Sequence, residues 1–171
     1  MKRNDRGFTL IEIVVVLVVI SIIAAAVFSH SITSNQINFL GQVDKIRQQI
    51  RYAQSLALKR NEVWGVLCAG NTFFWLFNGY KGADVTTAIK LPGERNDKIV
   101  LPNIGVNMTA NFFLFFDKYG KPYHMLDYDT PSNTQPVTDA TPLHITISSR
   151  SDATQTRTLI ITPETGLIIT Q

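Results

Sequence analysis

Phe8 to Phe28 is an unbroken run of 21 residues whose only polar members are Thr9, Glu12 and Ser21. As a helix it is about 31 Å long at ~1.5 Å per residue, close to the ~30 Å hydrocarbon core of a bilayer. Val and Ile dominate the run and are mediocre helix formers in water. Lipid, however, requires every backbone group to be satisfied within the segment, and a helix does this. Lys2, Arg3 and Arg6 precede the run and the next basic residue is Lys45, a bias that sets the N-terminus in the cytoplasm. The run therefore predicts a single-pass anchor with the rest of the chain on the far side.

A removable secretory signal is the alternative, with Ala24, Ala25 and Ala26 as small residues before a cut. Two features oppose it. Glu12 places a carboxylate in an apolar run, at a cost of ~2.5–3.5 kcal/mol on insertion scales, and calls for a partner. No basic side chain lies within one helical turn of it. Cleavage between Gly7 and Phe8 would create an α-amino group four residues before Glu12 and make Glu12 the fifth residue of the mature chain. The second feature is the segment after the apolar run. From Ser29 to Arg60 there is no proline and one glycine, Gly41. Phe39, Val43, Ile46, Ile50, Ala53 and Ala57 recur at 4-3-4-3-4 spacing, a single helical stripe. The spacing predicts a helix continuing to about residue 60, and a cut at Ala26 would discard half of it.

Beyond Asn61 the pattern becomes strand-like, and all seven prolines lie there. The expected strands are Val63–Cys68, Thr72–Phe77, Ile99–Leu101, Val106–Thr109, Phe112–Phe116, Leu143–Ser148, Thr158–Thr162 and Leu167–Thr170. Gly70-Asn71 predicts a tight hairpin, and Pro163-Glu164-Thr165-Gly166 a turn with positive φ at Gly166. Tyr80–Lys98 and Thr130–Pro142 read as surface loops. The fold class is α+β: a long N-terminal helix, half membrane-spanning and half amphipathic, on an antiparallel β head. The expected organisation is a leader at 1–7, the spanning segment at 8–28, its amphipathic continuation at 29–60 and the head at 61–171.

The net charge of +3 is misleading until it is located. The leader and the 44–60 segment are basic, whereas residues 61–171 hold 8 basic and 10 acidic side chains. A nucleic-acid reading from overall charge is therefore unwarranted. The basic segment reads as a solvated face or a contact with neighbouring subunits. Phe112–Phe116 with Trp64, Phe73, Phe74 and Trp75 could form a stacking platform for single strands, but no positive groove accompanies them and core packing is the better account. Asp127, Asp129 and Asp139 have oxygen ligands for calcium without EF-hand spacing, and read as solvated loop acids. His124 and His144 with Asp127 match no ligand spacing. A single cysteine, Cys68, excludes an internal disulfide framework and a cysteine-built metal cluster. No nucleophile motif, phosphate loop or carboxylate pair supports catalysis, and no cofactor or metal is expected.

Arg6-Gly7-Phe8-Thr9-Leu10-Ile11-Glu12 followed by an apolar helix resembles the class III leader and mature N-terminus of type IV prepilins and type II secretion pseudopilins. The resemblance implies that a prepilin peptidase cuts after Gly7 and N-methylates Phe8, and that Glu12 serves in assembly. The implied product is an inner-membrane protein with a periplasmic head. Its partners are lipid before assembly, an inner-membrane assembly platform, and other pilin or pseudopilin subunits in a filament. Two segments of the head extend the resemblance. Phe115-Phe116-Asp117-Lys118-Tyr119-Gly120-Lys121-Pro122 is similar to an F-D-x-x-G-x-P segment of minor pilins of the GspH/FimT type. Ile161-Thr162-Pro163-Glu164-Thr165-Gly166-Leu167-Ile168 resembles the end of MSHA-type minor pilins. The chain departs from major type IVa pilins in lacking their C-terminal cysteine pair. It departs from DNA-uptake members in its uncharged tail, Leu167–Gln171, so nucleic acid is not an expected partner. The implied role is a minor pilin or pseudopilin, a structural subunit and not an enzyme. The alternative is a filament-tip binding protein for DNA uptake or surface adhesion.

Overall fold

The computed structural model describes residues 9–29, 34–79, 86–108, 111–125, 134–138 and 142–171. The chain divides into two compact units, residues 1–34 and 35–171. In the first, helix α1 spans Leu10–Ser29. The side chains from Leu10 to Ile23 are all exposed, so this is a helix without a core of its own. The expected continuity with the next helix falls on residues 30–33, outside the described residues.

Helix α2, Ser34–Arg60, is amphipathic in the way its spacing predicts. Phe39, Val43, Ile46, Ile50, Ala53 and Ala57 are all buried. Each large member of this stripe stabilises the unit by about 1.5–3 kcal/mol relative to an exposed position. Ala53 and Ala57 sit where the stripe has narrowed, and both are fully covered. The helix ends where Asn61 takes a left-handed φ of 56°, a conformation that asparagine tolerates better than most residues.

Among the described residues ten strands come after it: β1 Trp64–Ala69, β2 Phe73–Asn78, β3 Lys98–Val100, β4 Val106–Met108, β5 Phe112–Phe116, β6 Pro122–Met125, β7 Thr134–Pro136, β8 Leu143–Ser149, β9 Thr156–Ile161 and β10 Ile168–Thr170. They form a six-stranded sheet in the order β3-β2-β1-β5-β6-β7 and a four-stranded sheet in the order β10-β9-β8-β4. Every pairing is antiparallel. The α+β expectation is met, and the eight expected strands are present with ends displaced by no more than two residues.

One core joins the α2 stripe to Val66, Cys68, Leu76 and Leu114 of the larger sheet and to Ile145, Ile147, Leu159 and Ile161 of the smaller. The aromatic run divides by strand alternation. Phe112, Leu114 and Phe116 enter this core, while Phe113 and Phe115 join Leu67, Trp75 and Phe77 in a second cluster. All five residues of the run are buried, so the packing account holds and a stacking platform does not.

Two strands escape the sequence reading. β6 begins at Pro122 and β7 ends at Pro136, and the segment 130–142 that reads as a loop contains β7 and the fully buried Val137. Proline is admissible at these places because Pro122 opens its strand and β7 is the outermost strand of its sheet. The 80–98 segment keeps mostly irregular structure among its described residues, but a bridge pairs Ile89 with Leu76 and Leu91 is buried.

Two turns obey their chemistry. Gly70 and Asn71 both have positive φ, 58° and 54°, and Thr72 N–H donates to Ala69 O at 3.0 Å. This is a two-residue type I′ turn, whose twist suits a hairpin. Asn71 Oδ1 then accepts from Met108 N–H at 2.6 Å, linking the hairpin to β4. The second, between β9 and β10, has its glycine at positive φ as the sequence predicts.

Candidate processing and assembly site

Gly7 and Phe8, the expected cleavage and methylation positions, lie outside the described residues. Glu12 is described. Its backbone N–H donates to Thr9 O at 3.1 Å and to Thr9 Oγ1 at 3.3 Å, and its side chain is exposed in the first turn of α1. Thr9 therefore caps the helix, satisfying one of the N–H groups that every helix leaves open. An acidic residue in that turn is favourable to the helix dipole. The Thr-x-x-Glu spacing that signals such a cap is present in the sequence, where the anomalous charge in an apolar run overshadows it. Among the described residues no helix is long and apolar enough to cross a membrane. The span expected at Phe8–Phe28 includes Phe8 and the side chains of Ala26–Phe28, which lie outside the described residues.

In the head, Asp127, Asp129 and Asp139 fall outside the described residues, and the calcium question falls with them. Among the described residues no three His, Cys, Asp or Glu side chains gather as a metal site. His144 faces solvent on β8. His124 on β6 is half-buried, with Nε2 covered and unpartnered, and burial lowers its pKa below 6.5. Cys68 lies in the core with its thiol pKa raised to about 11 by burial, as an inert packing group.

The two head segments singled out by sequence meet in space. Asp117 Oδ1 accepts from the N–H groups of Tyr119 and Lys121, each at 2.9 Å. Gly120, at φ 78°, completes the β5–β6 turn by donating to Asp117 O at 2.8 Å. In the β9–β10 turn Gly166 has φ 62°, and Glu164 also has a positive φ of 60°. From α2, Gln54 Nε2 donates to Gly120 O at 3.0 Å and to Thr165 O at 2.7 Å. Lys121 Nζ meets Glu164 Oε1 at 2.8 Å, and this partner raises the Lys121 pKa. One carboxamide thus ties α2 to a turn from each sheet. A Cβ on Gly166 would lie 2.7 Å from Gln54 Nε2 and 2.9 Å from Phe116 Cε1, so the close approach requires glycine there.

Glu94 also has a role that sequence did not indicate. It receives Gln49 Nε2 at 2.8 Å and Lys45 Nζ at 2.7 Å, and its side chain is only 15% exposed. Two of the basic-segment contacts are therefore internal.

Residues 2–28 match the family described as the prokaryotic N-terminal methylation motif. No curated protein and no solved structure matches the chain. The motif is typical of type IV pilins and type II pseudopilins, which are generally structural subunits without enzymatic activity. It implies processing by prepilin peptidase, anchoring in the inner membrane before assembly, and assembly with pilin subunits. At its N-terminus the chain is prepilin-like, and its head has the helix-on-antiparallel-sheet architecture consistent with a pilin.

Proposed function

We propose that this chain is a minor pilin or pseudopilin of the GspH/FimT type. It is inserted with its N-terminus in the cytoplasm, cleaved after Gly7, N-methylated on Phe8, and then added to a type IV pilus or type II secretion pseudopilus. The observation that carries the reading is the methylation motif over residues 2–28 at the head of an apolar helix, joined in sequence to a head of helix and antiparallel sheet. The subtype draws its support from the two head segments and their meeting at Gln54. Exposed apolar residues along α1 supply the surface that would pack among neighbouring helices in a filament, a heterologous contact that propagates instead of closing.

Glu12 has a specific part in this reading. Its carboxylate pairs with an α-amino group, its own or that of a subunit already in the filament, and so draws the incoming subunit into register. Intact mass and N-terminal sequencing of the membrane-extracted protein test the processing step. The expected mature chain begins at a methylated Phe8; a start at Val27 refutes it. Glu12→Ala tests assembly. Insertion and cleavage should be intact and recovery in sheared filaments low, and normal recovery counts against the role of the carboxylate. Glu94→Ala is not an inert comparison, because Glu94 holds Lys45 and Gln49. Asp97→Ala, at an exposed position, is the sounder control.

A further inference from the structure

β10 is an outer strand of the four-stranded sheet, with β9 on one side of it. Thr158 and Gln171 exchange two backbone hydrogen bonds, each at 2.9 Å, and Leu167 O accepts from Thr162 N–H at 2.9 Å. The extended pairing thus runs from Leu167 to Gln171. Antiparallel alternation turns the N–H and C=O groups of Ile168 and Thr170 away from β9. Among the described residues nothing meets these groups. The other sheet edges carry the devices that ordinarily block an edge. On β4, Arg150 N–H donates to Gly105 O, so Met108 N–H points outward, and Asn71 Oδ1 takes it at 2.6 Å. β3 presents exposed Lys98, and β7 ends at Pro136, which has no N–H to offer. Residues 167–171 include no charged residue, proline or glycine.

The edge is its own complement. An antiparallel copy centred on Ile169 sets Ile168 opposite the partner's Thr170, and Thr170 opposite the partner's Ile168. Each outward N–H then meets an outward C=O. The side chains fit the same register. Leu167 and Ile169 are 52% and 43% exposed, whereas Ile168 between them is buried, so strand alternation puts both on the outer face. Ile169 comes to lie beside the partner's Ile169, and Leu167 beside the partner's Gln171. The neighbouring outer-face residues His144, Thr146, Thr158 and Ile160 bring no carboxylate, lysine or arginine to repel a like surface. The same lack of charge offers nothing to an anionic polymer or to a charged peptide.

We propose that β10 pairs with β10 of a second copy of this chain, antiparallel and centred on Ile169, joining two four-stranded sheets into one. The contact is two-fold and closes on itself, unlike the propagating contact of a filament, so it stands or falls apart from the filament reading. It is small, and covalent trapping suits it. The test uses the full-length protein in detergent, oxidised with copper phenanthroline and read on non-reducing gels. Wild type is the blank, because its one cysteine, Cys68, is buried. Ile169→Cys should cross-link to itself, since a non-hydrogen-bonded pair sets Cα atoms about 4.5 Å apart, within disulfide reach. Leu167→Cys should not, since that register holds its two copies about 13 Å apart. The expected dimer fraction is at least about tenfold greater for Ile169→Cys than for Leu167→Cys. Leu167→Cys mixed with a size-tagged Gln171→Cys should cross-link between the two. Adding Thr170→Pro to Ile169→Cys removes an outward N–H and no bond to β9, and should lower the dimer to the Leu167→Cys level with the head still folded by its melting curve. Should the proline unfold the head, the cysteine pattern alone decides. Equal cross-linking of Ile169→Cys and Leu167→Cys means crowding without pairing and overturns the proposal. So does an Ile169→Cys protein that stays monomeric, or a folded proline variant that cross-links as before.

Discussion

Gln54 is the most informative single position for the stability of the head. Its Nε2 donates to the carbonyls of Gly120 and Thr165, each in a turn that closes a different sheet. Gly120 is buried and Thr165 exposed, so the two losses differ in kind. A carbonyl near water recovers a partner, and its lost bond is worth about 0.5–1.5 kcal/mol. A covered one is left unsatisfied at about 1–3 kcal/mol. Gln54→Leu, which keeps the volume and removes the donor, should therefore destabilise the head by roughly 2–3 kcal/mol. In a unit of this size that lowers Tm by about 6–12 °C, at roughly 3–4 °C per kcal/mol. Gln54→Glu sharpens the argument, because a carboxylate would face two carbonyl oxygens and should cost more than Leu at pH 7. Facing two carbonyl oxygens raises the folded carboxyl pKa, and its protonation restores an O–H donor, so the Glu variant should regain stability relative to wild type as pH falls from 7 toward about 4, with no further gain below the unfolded value. The core of residues 35–171 closes on itself, so melts of that fragment, monitored through the fluorescence of buried Trp64 and Trp75, provide the assay. Equal Tm for the Leu variant and wild type, or a Glu variant indifferent to pH, refutes the tie.

Three further outcomes can be measured on the same fragment. A Cβ at Gly65 would lie 2.5 Å from Leu114 O and 2.5 Å from Phe77 Cζ, so Gly65→Ala should destabilise by about 1–3 kcal/mol or more through overpacking between β1 and β5; a urea midpoint within error of wild type contradicts this. Cys68, with its thiol pKa near 11, should not react with a disulfide reagent at pH 8 until the head unfolds, and stoichiometric labelling of the native protein would show that the core opens. The His124 pKa is lowered by burial from 6.5, so the unfolded chain binds the proton more readily. Stability should thus fall as pH drops below about 6.5 and level off beneath the folded pKa; His124→Gln should flatten that slope, and an unchanged slope assigns it to other groups.

The helical half of the fold was legible because its signal is periodic and uninterrupted. All six residues of the α2 stripe read from spacing are buried, since a stripe of that width has only one way to leave water. The hairpin at Gly70-Asn71 was legible from turn chemistry, as only residues tolerant of positive φ occupy its two centres. β6 and β7 were not legible, because proline is ordinarily evidence against a strand, and the exemption comes from position in the sheet. Edge placement of β7 is set by tertiary topology, and no local window contains it. The division of the described strands into two sheets was hidden for the same reason.

The candidate sites divide along a similar line. Glu12 stands out in sequence because a charge in an apolar run is anomalous wherever the helix lies, and the anomaly is local. Glu94 has no such contrast: it is an acid in a polar loop, and its significance arises from Lys45 and Gln49 on another element. Gln54 is quieter still, a polar residue bordering the stripe whose value lies in two backbone oxygens at Gly120 and Thr165. The motif segments 115–122 and 161–168 were each readable as turns, yet nothing in either spells out the other. Their meeting explains why both turns carry positive-φ glycines at defined places. A Cβ on Gly120 would press within 3.1 Å of Leu58, and one on Gly166 within 2.7 Å of Gln54. The same helix thus dictates two glycines in separate turns. Double-mutant cycles make that coupling measurable. Gln54→Leu and Gly166→Ala share the Gln54 Nε2 contact and should depart from additivity. Gln54→Leu and Gly65→Ala have no direct contact in common and should add. If both pairs add, Gln54 and Gly166 act independently and the joint is not a single unit.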